Sequence, residues 1–175
     1  MLARKNYEAV LLPRAVLDLA NSSYIGSVIY PALFFAIIYA TSYQFRHPAP
    51  TIGCLAILTA LSIARMALSY NVAQITPIAW VRWFSVLTIL IAGIWSGFWA
   101  FVLYIDGLNN TTLLAIVAMT GITSAGVGIL SPLLKLSYAF LFATMLPMIF
   151  VLIQQPDGVP IIAITANALK SNRDA

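Results

Sequence analysis

The chain has 175 residues, of which 62% are hydrophobic and only 8% charged, with a net charge of +4. A soluble domain is about 45–50% apolar and about 25% charged, so an ordinary water-soluble globule is excluded. The one cysteine, Cys54, excludes a disulfide scaffold, and the small, scattered positive charge leaves no footprint for nucleic acid. The composition predicts a polytopic membrane protein, whose partner is the lipid bilayer.

The first 22 residues differ from the rest of the chain. Charged side chains recur there from Arg4 to Asp18. A secretory signal peptide would follow its basic start directly with an apolar core, so this interpretation is rejected. Apolar residues lie between the charges at helical spacing, which predicts an amphipathic helix on the membrane surface for residues 1–22. A solvated leader is the alternative.

Five apolar segments follow within residues 23–153. About 20 apolar residues cross a bilayer as a helix, and a lipid-exposed backbone must satisfy its hydrogen bonds within each segment. The sequence therefore predicts an all-α bundle of about five transmembrane helices, with a turn at residues 106–110. The predicted spans are residues 24–43, 51–70, 80–105, 111–131 and 133–153.

Positive residues are distributed unevenly among the connections. If the N-terminus is cytoplasmic, six of them before residue 154 fall on the inner side and Arg46 falls on the outer side. Because inner loops carry the excess of Lys and Arg, this count predicts a cytoplasmic N-terminus. The six inner residues are Arg4, Lys5, Arg14, Arg65, Arg82 and Lys135.

Three of these cations lie beside or within predicted spans. Arg65, Arg82 and Lys135 are interpreted as membrane-edge anchors whose long side chains reach the headgroups. A functional role is the alternative, since an intramembrane charge is a functional candidate by default. No acidic residue lies deep in a predicted span, which disfavours transport coupled to ions.

Spans 3 and 4 carry small residues at spacings that allow helix backbones to approach closely. Helix packing is the simpler interpretation of this pattern. A ligand cavity or a moving contact between spans 3 and 4 is the alternative. The candidate packing residues are Gly93, Gly97, Gly121, Ala125, Gly126 and Gly128.

The sequence offers no recognisable catalytic or metal-binding motif. His47 is the single histidine and lies in a connection, so it cannot form a metal site with Cys54 inside span 2. A serine triad with Asp106 would need an activated serine motif, which is missing, and no phosphate-binding glycine loop is present. We therefore expect no catalytic residue, no cofactor, no metal and no enzymatic activity.

The membrane region resembles a known family. Trp80-Val-Arg-Trp83 leads into a helix with Ala92-Gly-Ile-Trp-Ser-Gly97, a Gly/Ala-rich helix ends in Ser131-Pro132, and the next helix contains Leu146-Pro147. This succession resembles the N-terminal membrane sensor region of bacterial histidine kinases and diguanylate cyclases. The resemblance implies signal perception in the bacterial inner membrane, and a homodimer, since kinases of this class usually work as dimers.

The segment Pro160–Ala168 carries a second resemblance. Its sequence, Pro-Ile-Ile-Ala-Ile-Thr-Ala-Asn-Ala, looks like the fourth strand of a response-regulator receiver domain in hybrid histidine kinases. That match places Thr165 at the receiver's switch position. The acidic pair, the phosphoacceptor aspartate and the lysine of a receiver are missing, as are the kinase motifs. A plain hydrophobic tail is the alternative.

Together the two resemblances imply one parent, a hybrid sensor histidine kinase that is truncated or internally deleted. On this hypothesis residues 154–175 are a receiver-like remnant. The chain would then keep the signal-perception module and lack kinase and phosphoacceptor machinery, with an unknown ligand. The alternative is a small stand-alone membrane protein, such as a carrier or an assembly subunit.

Overall fold

A computed structural model describes the backbone of residues 2–154 and the side chains of residues 14 and 16–154. Five α-helices run through this part of the chain, and 3-10 turns at Tyr43–Phe45 and Val72–Gln74 join the first three. Each helix is long and apolar enough to cross a membrane, which confirms the all-α, multi-pass architecture. The helices are α1 Leu2–Thr41, α2 Pro48–Tyr70, α3 Pro77–Asp106, α4 Asn110–Leu130 and α5 Leu134–Gln154.

The first helix is continuous, so the predicted boundary after residue 22 is not a helix end. Ser22 and Ser23 lie at that boundary, and their hydroxyls donate hydrogen bonds to backbone carbonyls one turn earlier. These bonds satisfy both hydroxyls within the helix. The apolar part of α1 long enough to span the membrane is Val16–Thr41, which begins earlier than the predicted span 24–43.

Two predicted segments lie partly or wholly outside the described residues. The amphipathic character predicted for residues 1–22 depends on the side chains of residues 2–13, which are outside the described part. Residues 155–175 are also outside it, and with them Thr165 and almost all of the receiver-like tail. Both assignments stay predictions.

Prolines and a short capped turn set the other helix boundaries. Both α2 and α3 begin at a proline, Pro48 and Pro77, a few residues before the predicted starts. The predicted turn at 106–110 is confirmed: Gly107 ends α3 with a positive φ of 67°, which favours glycine. The Asn109 side chain then accepts a bond from the Thr112 N–H, as in a capping box.

Helix α3 lies at the centre of the bundle. The contacts form a ring in the order α1, α2, α3, α5, α4 and back to α1, and α3 also contacts α1 and α4. Half of its most apolar window is buried, against 28% for each of the other helices. Its rings Trp95, Phe98 and Trp99 pack edge-on or tilted against Phe34 of α1. Aromatic packing therefore joins α3 to α1.

A hydroxyl on α3 compensates for a proline inside α5. Pro147 has no N–H, so the carbonyl of Ala143, four residues earlier, loses its helical donor. The Ser96 hydroxyl of α3 donates to that carbonyl at 2.7 Å. A neighbouring helix thus satisfies the freed backbone group, as apolar surroundings require.

The outer surface of the bundle is apolar. Ile25, Phe35, Ile63, Val117 and Phe142, from four different helices, are all more than half exposed. Such a surface suits contact with lipid chains rather than water. Because short connections reverse the chain, the helices alternate in direction, and the bundle has two ends. We call them the Arg65 end, where α2 terminates, and the Asp106 end, where α3 terminates.

Candidate functional site

One cavity in the Arg65 half of the bundle is lined by all five helices. Its volume is about 60 Å³. Two lining residues, Ile29 of α1 and Ala125 of α4, are exposed, so the cavity reaches the bundle surface between these helices. The lining consists of Gly26, Ile29, Tyr30, Arg65, Thr88, Ile122, Ala125, Gly126, Ile129, Leu130 and Phe140.

The charged group of this cavity is Arg65, which is only 5% exposed. Its guanidinium carbon lies 4.6 Å above the centre of the Phe84 ring, and that ring stacks on Trp80. This cation–π contact covers one face of the guanidinium. A Cβ added at Gly26 would lie 3.8 Å from Arg65 Nη2, so α1 passes directly beside the charge.

The hydrogen-bonding capacity of Arg65 is not used by the described residues. Its buried Nε has no hydrogen-bond partner among them, and no described carboxylate forms an ion pair with the guanidinium. The hydroxyl of Thr88, which lines the same cavity, is likewise buried without a partner in this part of the chain. Buried polar groups are normally paired, so these two call for an explanation.

The position of Arg65 differs from that predicted for a membrane-edge anchor. An anchor would extend along the surface to the headgroups, whereas Arg65 points into the bundle. Arg82 and Lys135 lie at the same end and are exposed, as that role requires. The functional alternative for Arg65 is therefore the one that its burial favours.

A sequence signal could have indicated this burial. The buried face of α2 repeats every three or four residues and is rich in small and polar side chains, and Arg65 falls in register with it. Thr88, Tyr30 and Phe84 were not predicted, because no local pattern marks which helix faces Arg65. The buried positions of α2 are Thr51, Cys54, Leu58, Ser62, Arg65 and Ser69.

The predicted packing residues have different environments. A Cβ added at Gly126 would overlap the Phe140 ring of α5, so this glycine makes a close approach. That contact joins α4 to α5, whereas the alternative of a moving contact concerned spans 3 and 4. Ala125 lines the cavity. The other four have open space at the Cβ position among the described residues and mark no close contact: Gly93, Gly97, Gly121 and Gly128.

A second polar cluster lies at the Asp106 end. His47 Nε2 is 4.0 Å from Asp106 Oδ1, and the His47 ring packs 5.4 Å from the ring of Tyr43. Burial, reinforced by the neighbouring Asp106 carboxylate, raises the pKa of Tyr43 to about 12. The fold thus brings together His47 and Asp106, which the sequence analysis considered as triad members, but Tyr43 is their neighbour rather than an activated serine.

Comparison with known proteins adds no relative. A scan against protein-family models finds no match, and searches of curated proteins and of solved structures return no significant similarity.

Proposed function

We propose that this chain is a membrane-embedded sensory module in which occupancy of the Arg65 cavity sets the packing of the bundle. The observation that carries the proposal is that residues from all five helices line this one cavity. A ligand that contacts every helix binds two helix arrangements with different affinity, and that difference shifts the population between them. The output is then a change in helix positions at the Arg65 end.

The proposal includes an orientation with the N-terminus in the cytoplasm. Among the described side chains, Arg14, Arg82 and Lys135 are exposed at the Arg65 end, and Arg46 is exposed at the Asp106 end. Cytoplasmic surfaces carry the excess of basic residues, which supports a cytoplasmic Arg65 end. The sensor resemblance of the membrane region supports the bacterial inner membrane as the location.

The parent in this proposal is a hybrid histidine kinase. The support is the resemblance of residues 1–153 to kinase membrane sensors and of residues 160–168 to a receiver strand. On this view the kinase and phosphoacceptor parts have been lost between the two segments. Sequencing the locus across codons 154–158, and the region downstream, tests this origin. An unbroken reading frame without kinase coding sequence nearby or in close relatives contradicts it.

The sensory role is tested by filling the cavity with a side chain. Gly26→Leu projects toward Arg65, because the nearest atom to an added Cβ at Gly26 is Arg65 Nη2. Gly53→Leu is the matched control, since a Cβ at Gly53 meets no described atom within 4 Å. Spin labels at the exposed positions 70 and 134, in a Cys54→Ala background, report the distance between α2 and α5 at the Arg65 end.

We expect Gly26→Leu to shift this distance distribution or to add a second population, and Gly53→Leu to leave it unchanged. A single distribution shared by both variants and the parent would mean one rigid packing. In that case the small stand-alone membrane protein becomes the better hypothesis.

A further inference from the structure

Arg65 poses a physical problem that the helix packing does not solve. A buried ion is expensive unless it is paired and hydrogen-bonded, and intramembrane cations normally face a partner. In the described residues Arg65 has the Phe84 ring against one face and no carboxylate. Its Nε and the Thr88 hydroxyl are both buried without a partner among the described residues, and both residues line a space that the described part of the chain does not fill.

The cavity has the size of an anionic group rather than of a whole ligand. A buried water needs roughly 10–15 Å³ of such space, so 60 Å³ holds about four to six waters. Pockets that enclose a drug-sized molecule measure about 300–1,000 Å³. A tetrahedral oxyanion fits inside, and anything attached to it must leave through the opening between α1 and α4.

The depth of Arg65 suits an anion that comes from the membrane surface. Arg65 precedes the end of α2 at Tyr70 by five residues, or about 7.5 Å along a helix. Three basic residues, Arg14, Arg82 and Lys135, are exposed at the same end. Among the described residues they outnumber the acidic one, Asp18. Basic residues at a membrane surface attract anionic headgroups and raise the local concentration of anions.

We infer that the cavity is a binding site for a phosphate-class oxyanion, held by the Arg65 guanidinium and the Thr88 hydroxyl. The inference rests on the proposed sensory function and names the chemistry of its ligand. The guanidinium presents a planar fork of N–H donors that matches two oxygens of one phosphate. Thr88 donates a further hydrogen bond, and the anion supplies the missing countercharge. The phosphate belongs either to a phospholipid headgroup or to a free phosphate of the aqueous phase.

Two ligand series distinguish these sources for the purified, delipidated protein in a phosphate-free detergent. The first compares sodium phosphate with sodium chloride at equal ionic strength. The second compares phosphatidylglycerol with diacylglycerol of the same acyl chains. The readouts are the midpoint of thermal aggregation and the phospholipid phosphorus retained per chain after purification. The variants are Arg65→Met and Thr88→Val, with Arg82→Gln as an exposed basic control at the same end.

At saturation we expect one phosphate ligand to raise the midpoint of the parent protein by at least about 3 °C. The shift falls below about 1 °C in Arg65→Met, is reduced in Thr88→Val and persists in Arg82→Gln. Stabilisation by phosphatidylglycerol alone, with retained phosphorus, assigns a lipid headgroup; stabilisation by sodium phosphate assigns a free anion. Arg65→Met also removes a buried charge that has no acidic partner among the described residues, so this variant should fold at least as stably without ligand.

The site is overturned if neither phosphate source stabilises the parent protein more than its phosphate-free counterpart. It is also overturned if Arg65→Met keeps the full shift or retains the same phosphorus. The spin-label experiment is independent of this result. A phosphate-dependent shift of the midpoint with an unchanged α2–α5 distance would support the site and contradict the sensory role. A changed distance without any phosphate-dependent shift would contradict the site alone.

Discussion

At the Asp106 end, an imidazole and a carboxylate lie 4.0 Å apart beside a buried phenol, whereas at the Arg65 end a buried guanidinium has no described carboxylate near it. The Asp106 cluster is formed by the turn after α1 and the end of α3, and its Tyr43 hydroxyl and Asp106 Oδ2 are buried without a hydrogen-bond partner among the described residues. The Arg65 cavity is instead enclosed by helices and open between α1 and α4. The first end brings an acidic and a basic side chain together, whereas the second has no acidic partner for its cation among the described residues.

This difference separates two uses of polar groups in a membrane bundle. Near the Asp106 end, the capping box of Asn109 and Thr112 satisfies the start of α4, which stabilises the fold. At the Arg65 end, a buried cation packs on the Phe84 ring and has no acidic partner among the described residues. Polar groups of the second kind are candidates for ligand binding, because a ligand supplies what the fold leaves out.

The first prediction concerns the side of the membrane on which each end lies, and its outcome is all or none. Leu108→Cys, in a Cys54→Ala background, places a thiol in the exposed turn at the Asp106 end without removing the Asn109 cap. We expect an impermeant maleimide to label it in cells permeabilised only at the outer membrane. Lys135→Cys, at the opposite end, should react only after lysis of the inner membrane. The reverse pattern would place the Arg65 end outside.

The second prediction disrupts the Arg65 end and spares the Asp106 end. Gly126→Leu forces a side chain into the space of the Phe140 ring, which lines the cavity. Overpacking a tight site costs about 1–3 kcal/mol, so the midpoint of thermal aggregation in detergent should fall by several degrees. Gly128→Leu is the control, since a Cβ there meets no described atom within 4 Å. Equal losses for both variants would show that the contact with Phe140 is not tight.

The third prediction tests the connection between α3 and α5 midway between the two ends. Ser96→Ala leaves the Ala143 carbonyl without this donor, and hydrogen bonds between membrane helices contribute about 0.6 kcal/mol on average and up to about 1.7 kcal/mol. Pro147→Ala restores an N–H to α5 that can donate to this carbonyl. We therefore expect Ser96→Ala to lower the midpoint in the parent protein and to have much less effect in the Pro147→Ala background. The same loss in both backgrounds would exclude this role for Ser96.

Hydropathy was sufficient to predict the five spans, because a lipid-exposed backbone leaves few alternatives to helices of this length. Hydropathy could not predict which helices are neighbours, since the contacts of α3 with α5 and of α1 with α4 join segments that are distant in sequence. The inward orientation of Arg65 could be predicted from the helical spacing of Ser62, Arg65 and Ser69. Thr88 could not be paired with Arg65 without knowing that α3 packs against α2.

The glycines show a different limit. Small residues permit close helix contact but do not require it, so the same pattern contained Gly126, which touches α5, and Gly121, which has open space among the described residues. Ser96 and Pro147 were both visible in the sequence, yet their relation appears only when α3 and α5 are placed side by side. Local composition predicts the helices. Which polar groups find a partner depends on how the helices pack against one another.

The smallest effect is expected from alkaline titration of the Asp106 end. The pKa of Tyr43 is about 12 in the folded protein, above the ordinary tyrosine value of about 10. The folded state therefore holds its phenolic proton more tightly than the unfolded state. The stability linked to this proton is fully present below about pH 10 and is lost as the pH rises from about 10 to about 12.

Tyr43→Phe removes this titrating group, so the midpoint of thermal aggregation should fall less steeply over that pH range than in the parent protein. Tyr70→Phe, which removes a phenol that is 86% exposed, should leave the steeper decline in place. Buffers of equal ionic strength keep the screening of charges constant across the pH series. Each variant loses one phenol, so a difference between them reports the burial of the Tyr43 phenol. If the two variants declined equally, burial and the neighbouring Asp106 carboxylate would not be raising the pKa of Tyr43.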